Sequence, residues 1–511
     1  MTNVLSNAGT TRVPSFRRRP ESSFAPTATE HRLRSLAVAA VAAVAAVAVV
    51  AAVAAAAATL ALYSRACPDA RRPVLQRLFY TALLYALTPF VLYRLAARGF
   101  KYHGYFARWR ERFGFFPDPG FRDSIWVHAV SLGEVNAAVP LIEALMRRFG
   151  DTPLVITTVT PTGSARVLQL FGDRVFHVYL PYDLTTAVRR FLDRIRPRLA
   201  VIMETEIWPN LFMTCADRDI SIVIANARLS AKSLRGYWPI QPLARRAIRC
   251  ASFVAAQSAS DFERLHALGA PTDRLAVVGN LKFDMSVPDD AVERGRAFRA
   301  AAGADRPVWI AASTHEGEEL IVLKAHAEVL RRFPDALLLI APRHPERFKA
   351  LAAACKAFGF RTATRSEDGG ADRTRQCFVC DSMGELLGFY AAADVAFVGG
   401  SLTAVGGHNL LEPAALSKPV IVGPHTFNFA EVTEDLIKAG AAMRIADGDE
   451  LGPAVVRLLS RDIERRTMGE AAHRVMERER GAVERTMAII ERVLDAAEKP
   501  PRMRSDTARP R

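Results

Sequence analysis

The chain has 511 residues, more than one ordinary hydrophobic core holds, so two domains with additional segments are expected. Half of the residues are hydrophobic and 24% are charged, which excludes a wholly disordered chain. Lys and Arg number 68 against 53 Asp and Glu; the resulting charge of +15 suits nucleic acid, anionic lipid or a phosphorylated substrate without choosing among them.

Residues 1–35 are rich in Pro, Ser, Thr and Arg, a composition that reads as disordered. The run SLAVAAVAAVAAVAVVAAVAAAAATLALY follows; it is long enough to cross a bilayer but almost wholly Ala and Val. A second apolar stretch, VLQRLFYTALLYALTPFVLYRLAARGFKYHGYFARWRERFGFF, packs Leu, Phe and Tyr between Arg77 and Arg94 and ends in a dense basic run. It reads as a membrane anchor with a cytoplasmic flank, in which Arg98, Lys101, Arg108, Arg110 and Arg112 face anionic headgroups. A signal peptide followed by a core helix is the other reading, but no small-residue cleavage site leads into a disulfide-rich domain. If both stretches span, the loop with Arg65, Arg71 and Arg72 lies outside, against the positive-inside tendency. A leader missing from the mature protein removes that conflict. The expected segments are a leader over 1–73 and an anchor with its basic flank over 74–118.

Beyond Phe121, short apolar runs alternate with amphipathic helical runs. SIWVHAV, PLVITTV, RLAVIME, SIVIANA, SFVAAQS and RLAVVGN are near-continuously apolar, as strands of a parallel sheet are. The pattern breaks near residues 285–306 and restarts with VWIAAST, ALLLIAP, CFVCDS, DVAFVGG and PVIVGP. Two doubly wound α/β domains are expected, over 119–290 and 300–497, with a disordered tail over 498–511 and a cleft between facing carboxyl edges. The six cysteines are scattered, and Cys377 and Cys380 lie in a buried strand pattern without a second pair, so they read as reduced structural thiols.

Polar residues collect where the strands end. Ser131-Leu-Gly-Glu134 and Thr160-Pro-Thr-Gly-Ser164 follow two of them, METEIWPN a third, and GNLKFD, with Lys282, closes the first half. A glutamate in the first turn of a helix is stabilised as an anion and can serve as a general base; ordinary helix-terminal charge is the competing reading. Glu204 and Glu206, two apart on a strand, would share one face and need cations, hydrogen bonds or a shared proton; pairing with Arg228 is the bland alternative. In the second half STHEGEE begins a helix. APRHPERF sets Arg343 and His344 at a strand end, where Arg can neutralise a phosphate. GGSLTAVGGHNLLEPA joins glycine-rich turns to a helix expected to open at Asn409, with Glu412 available to ribose hydroxyls.

The ordered series HAVSLGE, TPTGSARV, METEIWPN, NARLS, GNLKFD, STHEGEE, APRHPERF, MGEL, GGSL and GGHNLLEPA resembles the 3-deoxy-D-manno-octulosonic acid (Kdo) transferases of lipopolysaccharide assembly, from about Val74 to Ala497. The resemblance implies a GT-B fold of two Rossmann-like domains. It implies an inverting transfer of Kdo from CMP-Kdo to lipid IVA at the inner membrane, with no metal and no other cofactor. Nucleic acid, the guess from composition alone, is disfavoured because no aromatic-interleaved basic strand pattern is present. By the same likeness Glu134 is the proton acceptor, and Glu204 and Lys282 stabilise the transition state. Pro342 and Arg343, Met383, Gly384 and Glu385, and Asn409, Leu410, Leu411 and Glu412 match CMP-binding segments. Another GT-B enzyme using a UDP-sugar, or a membrane-anchored binding protein without catalysis, are the competing classes.

Overall fold

The computed structural model describes residues 71–101, 106–285, 287–368, 370 and 372–498. The leader and the tail expected from sequence lie outside them, apart from Arg71–Pro73 and Glu498. The chain divides into two units: one runs to Leu281 and resumes at Val483, the other spans Lys282–Ala482. The division therefore falls just before the expected join. The last helix, Ala482–Glu498, lies almost wholly in the first unit rather than the second. Within that unit Arg485 Nε donates to Val278 O (2.8 Å), and the Arg492 guanidinium covers the Phe253 ring.

The first unit holds a parallel sheet of seven strands in the order β3-β2-β1-β4-β5-β6-β7. They are β1 (Ser124–His128), β2 (Leu154–Thr158), β3 (Phe176–Tyr179), β4 (Pro197–Met203), β5 (Ser221–Ala227), β6 (Phe253–Ala256) and β7 (Leu275–Val277). Strands β1 and β2 are buried at every residue, because helices cover both faces of the sheet. Trp126, Phe191 and Phe212 lie at the centre of this core.

The second unit repeats the plan with order β10-β11-β9-β8-β12-β13-β14. Its strands are β8 (Val308–Thr314), β9 (Leu337–Pro342), β10 (Thr362–Thr364), β11 (Cys377–Val379), β12 (Val395–Val398), β13 (Val420–Val422) and β14 (Ala442–Arg444). All pair in parallel, and Trp309, Phe378 and Phe397 are fully enclosed. Cys377 and Cys380 are buried free thiols, as the strand pattern implied. Strand order reverses between β1 and β4 in one unit and between β8 and β12 in the other, and in open α/β sheets ligands bind beyond such switch points.

The helix Arg71–Lys101 carries the apolar stretch Leu75–Ala96, whose 22 residues are long enough to cross a membrane. One face is docked on the first unit: Arg77 donates to Thr214 (3.1 Å) and pairs with Asp217, Tyr80 donates to Asp183 (3.0 Å), and Thr81 donates to Asn210 (3.1 Å). Phe79, Leu83, Leu87, Phe90 and Tyr93 are exposed along the helix. The basic flank does not all face outward as expected. Arg112 is buried, donating to Val159 O and covering the Tyr179 ring, and Arg108 pairs with Glu111 and donates to His177 O. Each guanidinium satisfies acceptors that the fold would otherwise bury unpaired. Arg110 remains exposed, and the side chains of Arg98 and Lys101 lie outside the described residues.

Glu318, at the start of the helix Glu318–Arg332, has no solvent exposure, and its two oxygens accept from the backbone amides of His315, Gly400, Ser401 and Leu402. It fastens STHEGEE to GGSL beneath the switch point. Glu318→Ala strands four buried donors at about 1–3 kcal/mol each before relaxation, so we expect a loss of about 3 kcal/mol or more. Urea unfolding checks this; a variant within 1 kcal/mol of the parent, on the scale of an ordinary surface change, would refute the role.

Candidate functional site

After β1 the chain passes Val130 and enters the helix Leu132–Arg148, with Ser131 as N-cap and Glu134 in the first turn. Glu134 N donates to Ser131 Oγ (3.5 Å), Ser131 Oγ donates to Glu134 Oε1 (3.1 Å), and Val130 N donates to Oε2 (2.8 Å). The arrangement is a capping box whose carboxylate reaches one residue further back than usual. Gly163 lets the neighbouring loop close on it: a Cβ there would lie 3.0 Å from Thr160 Oγ1 and 3.3 Å from Ser131 C. Burial pushes the Glu134 pKa up to about 7, and repulsion from Glu204 and Glu206 adds to the rise against the bonds from Val130 and Ser131.

Glu204 and Glu206 do not lie on a strand as expected, because β4 ends at Met203. Glu204 turns the chain in a left-handed conformation (φ 54°) while its N–H donates to Ala225 O. Thr205 points back to the Arg228 backbone, and Glu206 accepts from Trp208 Nε1 (3.1 Å), its pKa raised by burial. The turn therefore brings both acids within electrostatic reach of Glu134, just beyond the ends of the two strands that flank the switch point.

Asn226 escaped the sequence reading. It is buried at a register shift in β5, left-handed (φ 55°), and its Oδ1 accepts from Leu281 N (3.0 Å), tying NARLS to GNLKFD. Its Nδ2 has no partner among the described residues. A polar amide inside the apolar run SIVIANA was the available signal.

In the second unit Lys282 sits in the turn Leu281–Asp284, its Nζ 5.9 Å from the centre of the Phe429 ring. Pro342 ends β9, and Arg343 N donates to Thr314 O (2.9 Å). Among the described residues no carboxylate pairs with the Arg343 guanidinium. Met383 is exposed, whereas Glu385 takes a two-pronged bond from Arg365 (2.8 and 2.9 Å) that holds its carboxyl down to about 2. The helix expected at Asn409 begins at Leu411 and has five residues. Asn409 Oδ1 accepts from Leu411 N (3.1 Å) and its Nδ2 donates to Glu412 (3.2 Å), so Asn409 caps the turn from outside. The side chains of Leu410 and Leu411 are in the core, which leaves only their backbone to a ligand.

Two successive parallel doubly wound units, with polar clusters beyond their switch points, give the chain the GT-B fold. Residues 107–285 match the family model for 3-deoxy-D-manno-octulosonic-acid transferase (kdotransferase). The chain is 41% identical to the 3-deoxy-D-manno-octulosonic acid transferase of Haemophilus influenzae over 82% of its own length and 99% of that protein. It is 40% identical to the transferase of the same name from Bordetella pertussis, over 72% and 86%. Among solved structures, the C-terminal CMP-Kdo binding domain of WaaA from Acinetobacter baumannii is 32% identical, covering 37% of this chain and 98% of that one, with a TM-score of 0.36. The chain belongs to the Kdo transferase family and is a glycosyltransferase.

The Glu134 geometry carries a stability signature. Its unfolded carboxyl titrates near 4.5 and the folded one near 7. The folded state therefore binds the proton more tightly: the charge penalty is absent below 4.5, grows through the interval and is complete above 7. Glu134→Gln removes the charge; its Oε1 can accept from Val130 N while its Nε2 donates to Ser131 Oγ, so that both contacts are kept with the second reversed. We expect it to be more stable than the parent at high pH by on the order of 2–3 kcal/mol, a gain that shrinks as pH falls toward 4.5. Thermal unfolding across pH tests it, and a gain independent of pH would contradict the assignment.

Proposed function

We propose that this protein transfers Kdo from CMP-Kdo to lipid IVA with inversion, without a metal, and with Glu134 as general base. The observation that carries the reading is a carboxylate poised near neutrality beyond the switch point of the first unit, with Glu204 beside it. A base with that pKa accepts a proton at working pH without being too weak to do so. Glu134 would take the proton of an acceptor hydroxyl as the oxygen bonds to the anomeric carbon of Kdo. The bond from that carbon to the phosphate oxygen breaks, and CMP leaves with the electron pair. Positive charge gathers on the sugar in such a transition state, and the Glu204 carboxylate opposes it. Lys282 and Arg343 supply cations for the departing phosphate, with Asn409 and Glu412 for the nucleotide. The relative from Acinetobacter baumannii, named for CMP-Kdo binding, supports assigning the donor to the second unit.

The purified protein, with CMP-Kdo and lipid IVA in the presence of EDTA, should form product at a rate that rises with pH through about 7. Glu134→Ala should lose at least about a hundredfold in rate, the low end for a removed general base. A folded wild type that makes no product with CMP-Kdo, or that stops with EDTA, would defeat the donor or the metal-free reading respectively.

The docked helix Arg71–Lys101 suggests how an acceptor lipid is met. We read it as an anchor at the cytoplasmic face of the inner membrane, its polar face on the first unit and its apolar stripe in the leaflet. Replacing exposed Phe79, Leu83 and Phe90 with Ser should weaken binding to anionic vesicles by at least about tenfold, given about 1.5–3 kcal/mol per large apolar side chain. Cosedimentation of the triple variant at parental strength would rule the stripe out.

A further inference from the structure

Three histidines from three separate motifs converge beyond the switch point of the second unit. His315 follows β8, His344 follows β9, and His408 lies in the loop after β12. The Nε2 atoms of His315 and His408 are 2.8 Å apart, with the rings parallel within 3° and their centres 5.0 Å apart. Those values fit imidazoles meeting edge to edge in an N–H···N bond. One Nε2 presents its proton and the other its lone pair to that bond, so the pair does not offer the two nitrogens to a common metal ion.

The placement is built into the backbone. Glu318 accepts from the His315 amide, and the amides of Gly406 and Gly407 both donate to Gly400 O. Gly400 is left-handed (φ 66°), and a Cβ there would lie 2.9 Å from His408 Cδ2. The charged groups facing the pair are Arg343 and His344 from the end of β9, and Glu318 and Glu319 from the helix Glu318–Arg332. Both acids are committed, Glu318 to four amides and Glu319 to Arg347. Arg343 is left with no carboxylate among the described residues, beside two neutral imidazoles. Burial holds His408 down to about 4 and lowers His315 as well, with Arg343 adding to both shifts.

Two neutral imidazoles joined in this way carry one proton between their Nε2 atoms. A further proton can enter at Nδ1 of the donor ring, which turns the shared bond into a charge-assisted one and strengthens it. A second further proton would set two N–H groups against each other. The pair thus has room for one proton and no more.

We propose that the His315–His408 pair is the proton acceptor for anion binding at this site: a phosphate-type oxyanion held beside Arg343 draws one proton from solvent onto the pair, and its departure returns that proton. Only the identity of the anion, CMP or its sugar ester, rests on the function proposed above. Anion affinity would then increase by up to about tenfold for each unit of pH lowered between the pKa of the free pair and that of the occupied pair.

Isothermal titration of the full chain in detergent near pH 6, in two buffers of different ionisation enthalpy, counts the protons taken up. The probes are sulfate, which does not titrate there, CMP, and cytidine as the uncharged control. We expect the wild type to take up a large fraction of a proton with sulfate and none with cytidine; CMP, whose own phosphate titrates at about pH 6, is read for binding only. Uptake should persist in His344→Asn and vanish in His408→Asn. Should His408→Asn fail to fold, His315→Asn reads the same bond from its other end. Sulfate binding without proton uptake in the wild type, or no anion binding at all, overturns the proposal. So does uptake that is lost in His344→Asn and kept in His408→Asn, since the proton would then sit on the exposed ring. If CMP does not bind but sulfate still brings a proton, the donor reading fails while the role of the pair stands.

Discussion

A carboxylate taken out of water must be met by donors, and how completely it is met separates the acids that build this protein from those free to react. Glu318 has four amides on two oxygens, and Glu385 has both prongs of Arg365. Asp183 is instructive because burial raises it to about 7, the same value as Glu134. Yet Asp183 accepts from the amides of Asn210 and Leu211 and from Tyr80, and it holds the helices Arg71–Lys101 and Pro209–Ala216 together. Glu134 has one amide and one hydroxyl and faces two further acids. A raised pKa alone therefore does not distinguish the two; Glu134 differs from Asp183 in being under-satisfied at a strand end.

The backbone pays attention to the same places. Glu204, Asn226 and Ser313 are non-glycine residues in the left-handed region, at or near the ends of β4, β5 and β8. Each costs about 1 kcal/mol or more relative to an ordinary conformation, so the surrounding bonds must hold it. Glu204 is fixed by Ala225 O and Asn226 by Leu281 N. The strain is what turns the chain abruptly out of the sheet and leaves a polar side chain at its edge.

Strand interiors were legible in the sequence because both faces of a parallel strand are buried, which forces near-continuous apolar runs. The strands that escaped, β3 (FHVY), β10 (TAT) and β14 (AMR), are all at sheet edges. An edge strand is flanked on one side only, so it is short and tolerates His, Thr or Arg, and its pattern fades. The candidate site was legible as motifs but not as contacts. Strand periodicity placed Glu204 and Glu206 on one face, whereas a left-handed turn presents them. APRHPERF and GGHNLLEPA were read for Arg343 and Asn409, while the contact between His315 and His408 joins residues 93 apart in sequence and leaves no local signal.

The helix Arg71–Lys101 shows why hydropathy alone misreads such a segment. Arg77, Tyr80, Thr81 and Tyr85 count as interruptions of an apolar run, yet at helical spacing they fall on one face. That face is the one bonded to Thr214, Asp217, Asp183, Asn210 and Thr186. Phe79, Leu83, Leu87 and Phe90 repeat at the same spacing and fall on another. A helix that merely crossed a bilayer would need no ion pair with Asp217 and no hydroxyl on buried Asp183. Those bonds make the helix part of the first unit, so the apolar stripe keeps a fixed orientation to the strand ends that hold Glu134. On the function proposed above, an enzyme that works on a lipid would gain from that rigidity, because a membrane meeting the stripe would set the direction from which the acceptor approaches Glu134.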